Sequence, residues 1–314
     1  MNLQQLEYIV AVDTYRHFIR ASEKCFVTQA TLSMMIRKLE DELEVRIFDR
    51  SKQPVIPTPL GEKIIEQARV VLNEAEKIKN IALQDESPSG DLRVGIIPTV
   101  APYLLPLFLQ RFLKNYPLVR LQVSELTTEE ILSRLEKNEL DAGILAIPLH
   151  KSKFNEETLF YEEFAVYASN DEILLKKKFI LAEDIDVNRL WLLEEGHCLR
   201  SQVVNLCELK QKEKNRHQLD FSAGSIETLK RIVEADQGIT ILPQLAIKDM
   251  TAKQKKRIRF FKSPVPVREI GLVTYRYHSR EKLIRVLIDS ILQSLPEEVK
   301  KRNSRQQQVV PISL

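Results

Sequence analysis

Cysteine and histidine are scarce here: three and five residues, respectively, in a chain of 314. No group of them has the short spacing of zinc ligands, so no metal is expected. No run approaches 18 uncharged apolar residues, which argues against a transmembrane helix. The opening MNLQQLEYIV lacks the basic, apolar and small-residue succession of a secretion signal. These absences lead to the expectation of a cytoplasmic protein without membrane contact. In that compartment a cysteine pair is more often redox-active or metal-binding than a stable disulfide. Charge of one sign is also lacking: the net charge is +3, and residues 1–60 balance their Lys/Arg and Asp/Glu, so charge alone names no partner. Neither G-x-S-x-G, G-x-x-x-x-G-K-[ST] nor G-x-G-x-x-G occurs, so enzyme chemistry on an α/β scaffold and a nucleotide cofactor find no support.

What is present is a 44% hydrophobic, 29% charged chain long enough for two or more compact units. Residues 1–58 read as closely spaced helices. Leu3, Leu6, Ile9 and Val10 form one apolar stripe, and Phe18, Ala21 and Cys25 begin a second, with Cys25 a small core residue. Thr28 is a good N-cap for a helix that turns Leu32, Ile36 and Leu39 inward and leaves Gln29, Thr31, Ser33 and Arg37 outside. Such a polar outer face suits the DNA major groove. Residues 47–50 and 55–57 then read as a two-strand wing, with Arg50 and Lys52 placed for phosphates. A generic three-helix module is the plainer alternative.

Thr58 and Pro59 open a long helix over 59–86. Ile64, Ala68, Val71, Ala75, Ile78 and Ala82 alternate steps of four and three, the spacing of a coiled-coil seam. The stripe serves either a dimer contact or its own domain. Glu86-Ser87-Pro88-Ser89-Gly90 is a linker. Beyond it strand and helix alternate, which implies parallel sheets with covered faces. Expected strands include 92–97, 119–126, 142–147, 159–168, 190–193, 219–223, 239–242 and 268–275. Leu105, Phe108, Leu109 and Phe112 mark one helix face, and Thr127 to Glu130 a capping box. Thr99, Thr128, Cys198 and Ser225 fall at strand-to-helix transitions, where sites form; the hydroxyl residues can equally be N-caps. Residues 301–314 read as a disordered tail, and Lys300, Lys301 and Arg302 at its start read as solvated.

Two of the three cysteines, Cys198 and Cys207, share the stretch EEGHCLRSQVVNLCE. On a regular helix nine residues span roughly 13 Å at ~1.5 Å per residue, whereas a disulfide needs Cα atoms about 4.4–6.8 Å apart. Joining them would require the segment to unwind. At a helix start Cys198 would feel the dipole, and the neighbouring His197 or Arg200 adds positive charge that favours a thiolate. Two buried small residues are the plain alternative.

The first sixty residues resemble the winged helix-turn-helix of LysR-type transcriptional regulators. Arg20-Ala21-Ser22, Val27-Thr28-Gln29, Leu32-Ser33, Ile36 to Glu40, Phe48-Asp49-Arg50 and Thr58 to Gly61 carry the resemblance. Ala30 stands where the family usually has proline, and Met34-Met35 where it has small or polar residues. The resemblance implies an α/β protein with an N-terminal winged helix-turn-helix, a long linker helix and a two-lobed, periplasmic-binding-protein-like regulatory domain. The lobes would comprise 87–162 with 268–300, and 163–267. Residues 95–106, Gly196-His197-Cys198-Leu199-Arg200, Cys207, 225–229, 238–243 and 268–273 resemble the hydrogen-peroxide-sensing OxyR branch. That resemblance implies that Cys198 is the peroxidatic and Cys207 the resolving cysteine, with Thr99, Thr128, His197 and Arg268 around the peroxide. It further implies double-stranded DNA and RNA polymerase as partners, a dimer or dimer of dimers, and a thioredoxin or glutaredoxin reductant. The chain departs from the branch over 208–217, which is highly charged. A LysR-type regulator answering a small-molecule co-inducer in the cleft is the alternative.

Overall fold

The computed structural model describes residues 1–81, 87–170, 172–207, 223–235, 238–276, 278, 280–300 and 306–312. The chain divides into two compact units, Met1–Ser87 with Tyr277–Glu281 and Pro88–Arg276 with Lys282–Leu314.

In the first unit, α1 (Leu3–Tyr15), α2 (Phe18–Lys24) and α3 (Gln29–Glu42) enclose a core that includes Leu6, Ile9, Val12, Ala21, Leu32, Ile36 and Leu39. Leu3, placed on the inner stripe by its spacing, is exposed, because it lies in the first turn beyond the reach of that core. Asn2 closes α1 with a capping box, and Thr28 caps α3 by accepting from the Thr31 N–H. The wing forms as expected: β1 (Phe48–Asp49) pairs antiparallel with β2 (Ile56–Pro57). The long helix α4 (Pro59–Ile81) begins under Thr58, whose hydroxyl accepts from the Gly61 N–H at 2.9 Å. Gly61 is obligatory there, since a Cβ would stand 2.1 Å from the Ile47 carbonyl oxygen.

The expected seam on α4 resolves into two parts. Ala68 is buried in this unit's own core beside Ile65, with Ile64 and Leu72 packed against it, and Arg69 binds Asp13 at 2.9 Å. Farther along, Val71 and Ile78 are exposed. The near half therefore anchors the helix and the far half presents apolar groups to solvent. Ala82 and Glu86 lie outside the described residues.

The second unit contains β3 (Gly90–Ile96), α5 (Ala101–Asn115), β4 (Val119–Glu125), α6 (Thr128–Glu136), β5 (Ala142–Ile147) and β6 (Phe154–Ala168). Then come α7 (Cys198–Leu206), α8 (Ile226–Glu234), β7 (Ile239–Pro243), α9 (Leu245–Lys248), α10 (Ala252–Lys255) and β8 (Ile258–Phe260). β9 (Val265–Tyr275), α11 (Glu281–Ser294), α12 (Glu297–Lys300) and β10 (Gln307–Val309) complete it. Sheet order is β4-β3-β5-β9-β6-β7, with β10 on β9 and β8 on β6.

The sheet is mixed, not parallel throughout. β3 pairs parallel with β4 and β5, but β9 runs antiparallel to β5 and β6, and β6 antiparallel to β7 and β8. Alternation along the sequence missed this because β6 and β9 are long strands that serve both halves. β6 pairs with β9 as far as Glu163, then with β7 from Phe164. This exchange of partners makes the α/β unit two-lobed.

Smaller expectations also shift. The segment 190–193 contributes only isolated bridges, Leu190 to Ile239 and Leu193 to Ala223. On α5 Phe108 and Phe112 are buried as expected, Leu104 joins them, and Leu105 and Leu109 are half-buried at the edge of that face. Of the strand expected over 219–223, only Ala223 is described. The tail departs most: Gln307–Val309 forms a strand parallel to Val265–Val267, and Val310 is buried. The β-branched Val309 and Val310 suit a strand, a signal masked by the polar run before them. Lys301 and Arg302 lie outside the described residues.

Candidate functional site

Glu162 on β6 and Arg268 on β9 face each other in the strand register. Both side chains are 0% exposed, so each charge must be satisfied within the protein. Arg268 Nη2 lies 2.6 Å from Glu162 Oε2, and Nε donates to the same oxygen at 2.7 Å. Glu162 Oε1 accepts from the Leu245 N–H at 3.0 Å. Arg268 Nη1 donates to the Thr99 hydroxyl at 2.9 Å, and Nη2 to the Thr99 carbonyl at 3.0 Å. The ion pair thus fixes the loop after β3 to the strands that pass between the lobes.

Cys198 comes to the same place from the other side. It is the first residue of α7, after the turn at Gly196 with φ +93°. The thiol is buried, and burial raises its pKa above the ordinary value. The Arg268 charge, the Thr128 hydroxyl and backbone amides of Ala146 and Leu199 act in the opposite direction. Against the pull of the helix start towards a thiolate, desolvation is the larger effect on this sulfur. Arg200 donates to the Leu193 carbonyl at 2.7 Å, and the charge acting on the thiol is that of Arg268.

The hydroxyl residues separate into caps and non-caps. Ser225 caps α8, and Thr127 caps α6 in the expected box with Glu130. Thr99 serves Arg268 instead. The Thr128 hydroxyl is buried without a fully formed hydrogen bond, although it lies close enough to Cys198 to favour the thiolate. His197, the residue before Cys198, is buried, with Nε2 3.6 Å from Glu194 Oε1. Thr99, Thr128, Cys198 and Arg268, remote in sequence, are therefore assembled together, with His197 next in chain. Glu162 was missed by sequence reading. Nothing in the sequence sets it apart from Glu156, Glu157 and Glu163 of the same strand; only its complete burial does.

Cys207 occupies the other end of the nine-residue helix α7, at its C-cap. It is half-buried against the core around Leu199 and Val203, and burial pushes its thiol up to about 12. All three cysteines are free thiols. The rise of ~1.5 Å per residue keeps Cys198 and Cys207 well beyond bonding reach in this state.

The first unit carries a second candidate site. A groove of about 640 Å³ is lined by Gln29, Ser33 and Arg37 of α3, Arg50 and Lys52 of the wing, and Arg20 of α2, among others. Arg20 was quoted for the resemblance but not as a DNA contact; its exposed place on the preceding helix is visible only in the fold. Thr31 does not line this groove, and its hydroxyl pairs with that of Thr28 at 2.9 Å. Arg50 is partly committed internally. It binds Glu40 at 2.9 Å and Ser33 at 3.3 Å, and stacks over Phe18 at 5.2 Å. Glu40 also accepts from the N–H groups of Ile47 and Phe48, so it ties the wing to α3.

Residues 3–62 match the bacterial regulatory helix-turn-helix protein, lysR family, and residues 85–296 match the LysR substrate binding domain. The chain belongs to the LysR family. This LysR-family chain is 38% identical over 274 residues to a hydrogen peroxide-inducible genes activator of Dickeya chrysanthemi, covering 87% of this chain and 89% of that one. It is 37% identical over 297 residues to the DNA-binding transcriptional dual regulator OxyR of Escherichia coli K12, covering 92% and 96%. A full-length OxyR variant from Pseudomonas aeruginosa superimposes with TM-score 0.71 at 35% identity, over 94% of this chain and 99% of that structure. Among the described residues no helix of this LysR-family protein is long and apolar enough to cross a membrane.

Proposed function

We propose that this chain is a DNA-binding transcriptional regulator switched by hydrogen peroxide through Cys198 and Cys207. Residues 1–58 read DNA, 59–86 form the dimerising rod, 87–162 with 268–300 make one sensor lobe, and 163–267 the redox lobe. The observation that carries the reading is the setting of Cys198. It is a buried thiol between Arg268, Thr128 and backbone amides, with a second thiol at the far end of its own helix. Similarity to hydrogen peroxide-inducible genes activators supports the signal.

The chemistry follows from those groups. Peroxide enters beside the Thr128 hydroxyl, which lacks a fully formed bond. Arg268, Thr99 and His197 orient it and stabilise negative charge as Cys198 yields its proton. The thiolate attacks one oxygen, the O–O bond breaks, and the departing hydroxide takes up the proton as water, leaving a sulfenic acid. The Cys207 sulfur then attacks Cys198, releasing a second water and closing the disulfide. Burial makes Cys207 a poor nucleophile where it stands, so α7 must open first. The new conformation re-spaces paired DNA readers and alters contact with RNA polymerase. A thioredoxin- or glutaredoxin-class dithiol resets the switch, and the whole proceeds in the cytoplasm without a bound cofactor.

On the DNA side, Gln29, Ser33 and Arg37 read base edges from the groove. Lys52 and Arg20 meet phosphates, and Arg50 joins them while bracing the wing. Thr31 acts at the helix start beside Thr28. A small-anion co-inducer is the second reading, but the Arg268 charge is already matched by Glu162. The test is a DNA footprint of Cys198→Ser with and without peroxide. Binding should persist and the peroxide-dependent change should vanish; a variant that still responds overturns the reading.

A further inference from the structure

The C-terminal segment makes contacts that the peroxide reading does not use. β10 lies parallel to β9, with Gln307, Gln308 and Val309 paired to Val265, Pro266 and Val267. The Val265 N–H donates to the Gln306 carbonyl at 2.6 Å, and the Val310 N–H to the Val267 carbonyl at 2.8 Å. Val310 is 6% exposed and belongs to the core that also holds Leu199 and Val203 of α7. The backbone then passes α7 itself. Gln202 Nε2 donates to the Val310 carbonyl at 3.0 Å, and Asn205 Nδ2 to the Pro311 carbonyl at 3.0 Å.

Gln202 and Asn205 are three residues apart, so they share a face of α7 and meet successive carbonyls of one extended strand. Both lie between Cys198 and Cys207. The segment that must unwind for those sulfurs to meet is therefore pinned, on one side, to a strand anchored in the sheet. Gln202 is held at one end only: its Oε1 is buried without a hydrogen-bond partner among the described residues. A buried unpaired acceptor penalises the resting arrangement, and opening of α7 relieves it. The helix is thus clamped by two amides while carrying a reason to leave.

We propose that residues 306–312 are a strap that holds α7 in its reduced register, with Gln202 and Asn205 as positioning residues for disulfide formation. The inference rests on the peroxide reading above and adds a determinant of its set point. The strap acts on the second step, condensation of the Cys198 sulfenic acid with the Cys207 thiol and loss of water. It leaves the first step, attack on peroxide, unchanged. Any contact made only in the reduced form displaces the equilibrium towards that form.

The test compares the full chain, a chain ended after residue 305, and Asn205→Ala. Equilibration with glutathione buffers gives the Cys198–Cys207 potential. Trapping of the sulfenic acid with a dione reagent in a Cys207→Ser background gives the first-step rate. Ending the chain at residue 305 should favour the disulfide about tenfold, or ~30 mV more negative for a two-electron couple. Asn205→Ala should give roughly a threefold shift, and it remains decisive if the shortened chain fails to fold. First-step rates should agree within about twofold across the set. Potentials unchanged in the shortened chain and in Asn205→Ala, beside a wild-type protein that does form the disulfide, overturn the strap alone, and so does a first-step rate that rises as much as the disulfide equilibrium shifts. A wild-type chain that forms no disulfide with peroxide overturns the strap together with the reading beneath it.

Discussion

The two units of this protein place their functional groups in contrasting ways. In the first, the groove residues come from within forty positions of one another and stand on short helices and a hairpin. In the second, the residues around one sulfur come from positions 99, 128, 162, 198 and 268. A locally built site follows from helix caps and periodicity. A site assembled across a mixed sheet depends on strand register and on which long strands serve two lobes. The first unit presents its polar groups to solvent for a partner to meet. The second buries them, so each must be matched internally, and around the Cys198 sulfur the Thr128 hydroxyl is the group left unmatched among the described residues.

That contrast can be broken most forcefully at the buried pair. Glu162→Ala leaves Arg268 uncompensated in a dry environment and should cost about 3–5 kcal/mol. Urea unfolding of the full chain should show the loss in the sensor transition, with that of the DNA reader unchanged. A loss below about 1 kcal/mol would mean that the pair is solvated and that the sensor site is built like the surface groove. In the reader, Gln29→Ala should weaken binding to the preferred site by about 1–3 kcal/mol and relax base preference at one position. Lys52→Ala should weaken all sequences alike and lower the salt slope by about one. Uniform effects from both would remove the distinction between base reading and phosphate anchoring. Thr28→Ala should cost only about 1 kcal/mol through loss of the α3 cap, measured by thermal melting.

The cysteines add a pH-dependent comparison. Burial raises the Cys207 thiol to about 12 against an ordinary value of 9.0. The folded state therefore retains a proton that the unfolded state loses. Its contribution to stability is complete below pH 9 and is lost as pH rises towards 12. Cys207→Ala should reduce the fall in unfolding free energy across that window. Alkylation of Cys207 in the native chain should also lag far behind that in the unfolded chain at neutral pH.

These differences explain what was legible. The Thr28 cap, the inward Leu32, Ile36 and Leu39, and the Thr127–Glu130 box are local, and each formed as the sequence indicates. Opposite placement of Cys198 and Cys207 on one helix was equally readable from spacing. Glu162 was not, because its meaning comes only from standing across the ladder from Arg268. Nor was the balance at Cys198, where depth of burial overrides a favourable helix start. The tail was misjudged because polar composition hid a strand whose partner lies some forty residues upstream in sequence. The α4 stripe shows a subtler error: a seven-residue repeat does not tell which of its apolar positions the domain keeps for itself.

The central claim is that one helix holds two thiols apart until peroxide activates the first. Peptide mass mapping of the full chain before and after brief peroxide exposure, with hydrogen exchange read over α7, tests it most directly. The account predicts free thiols and a protected helix beforehand, then a linked Cys198–Cys207 peptide and lost protection between them. A bond already present in the untreated protein, or one formed with α7 still fully protected, would contradict it.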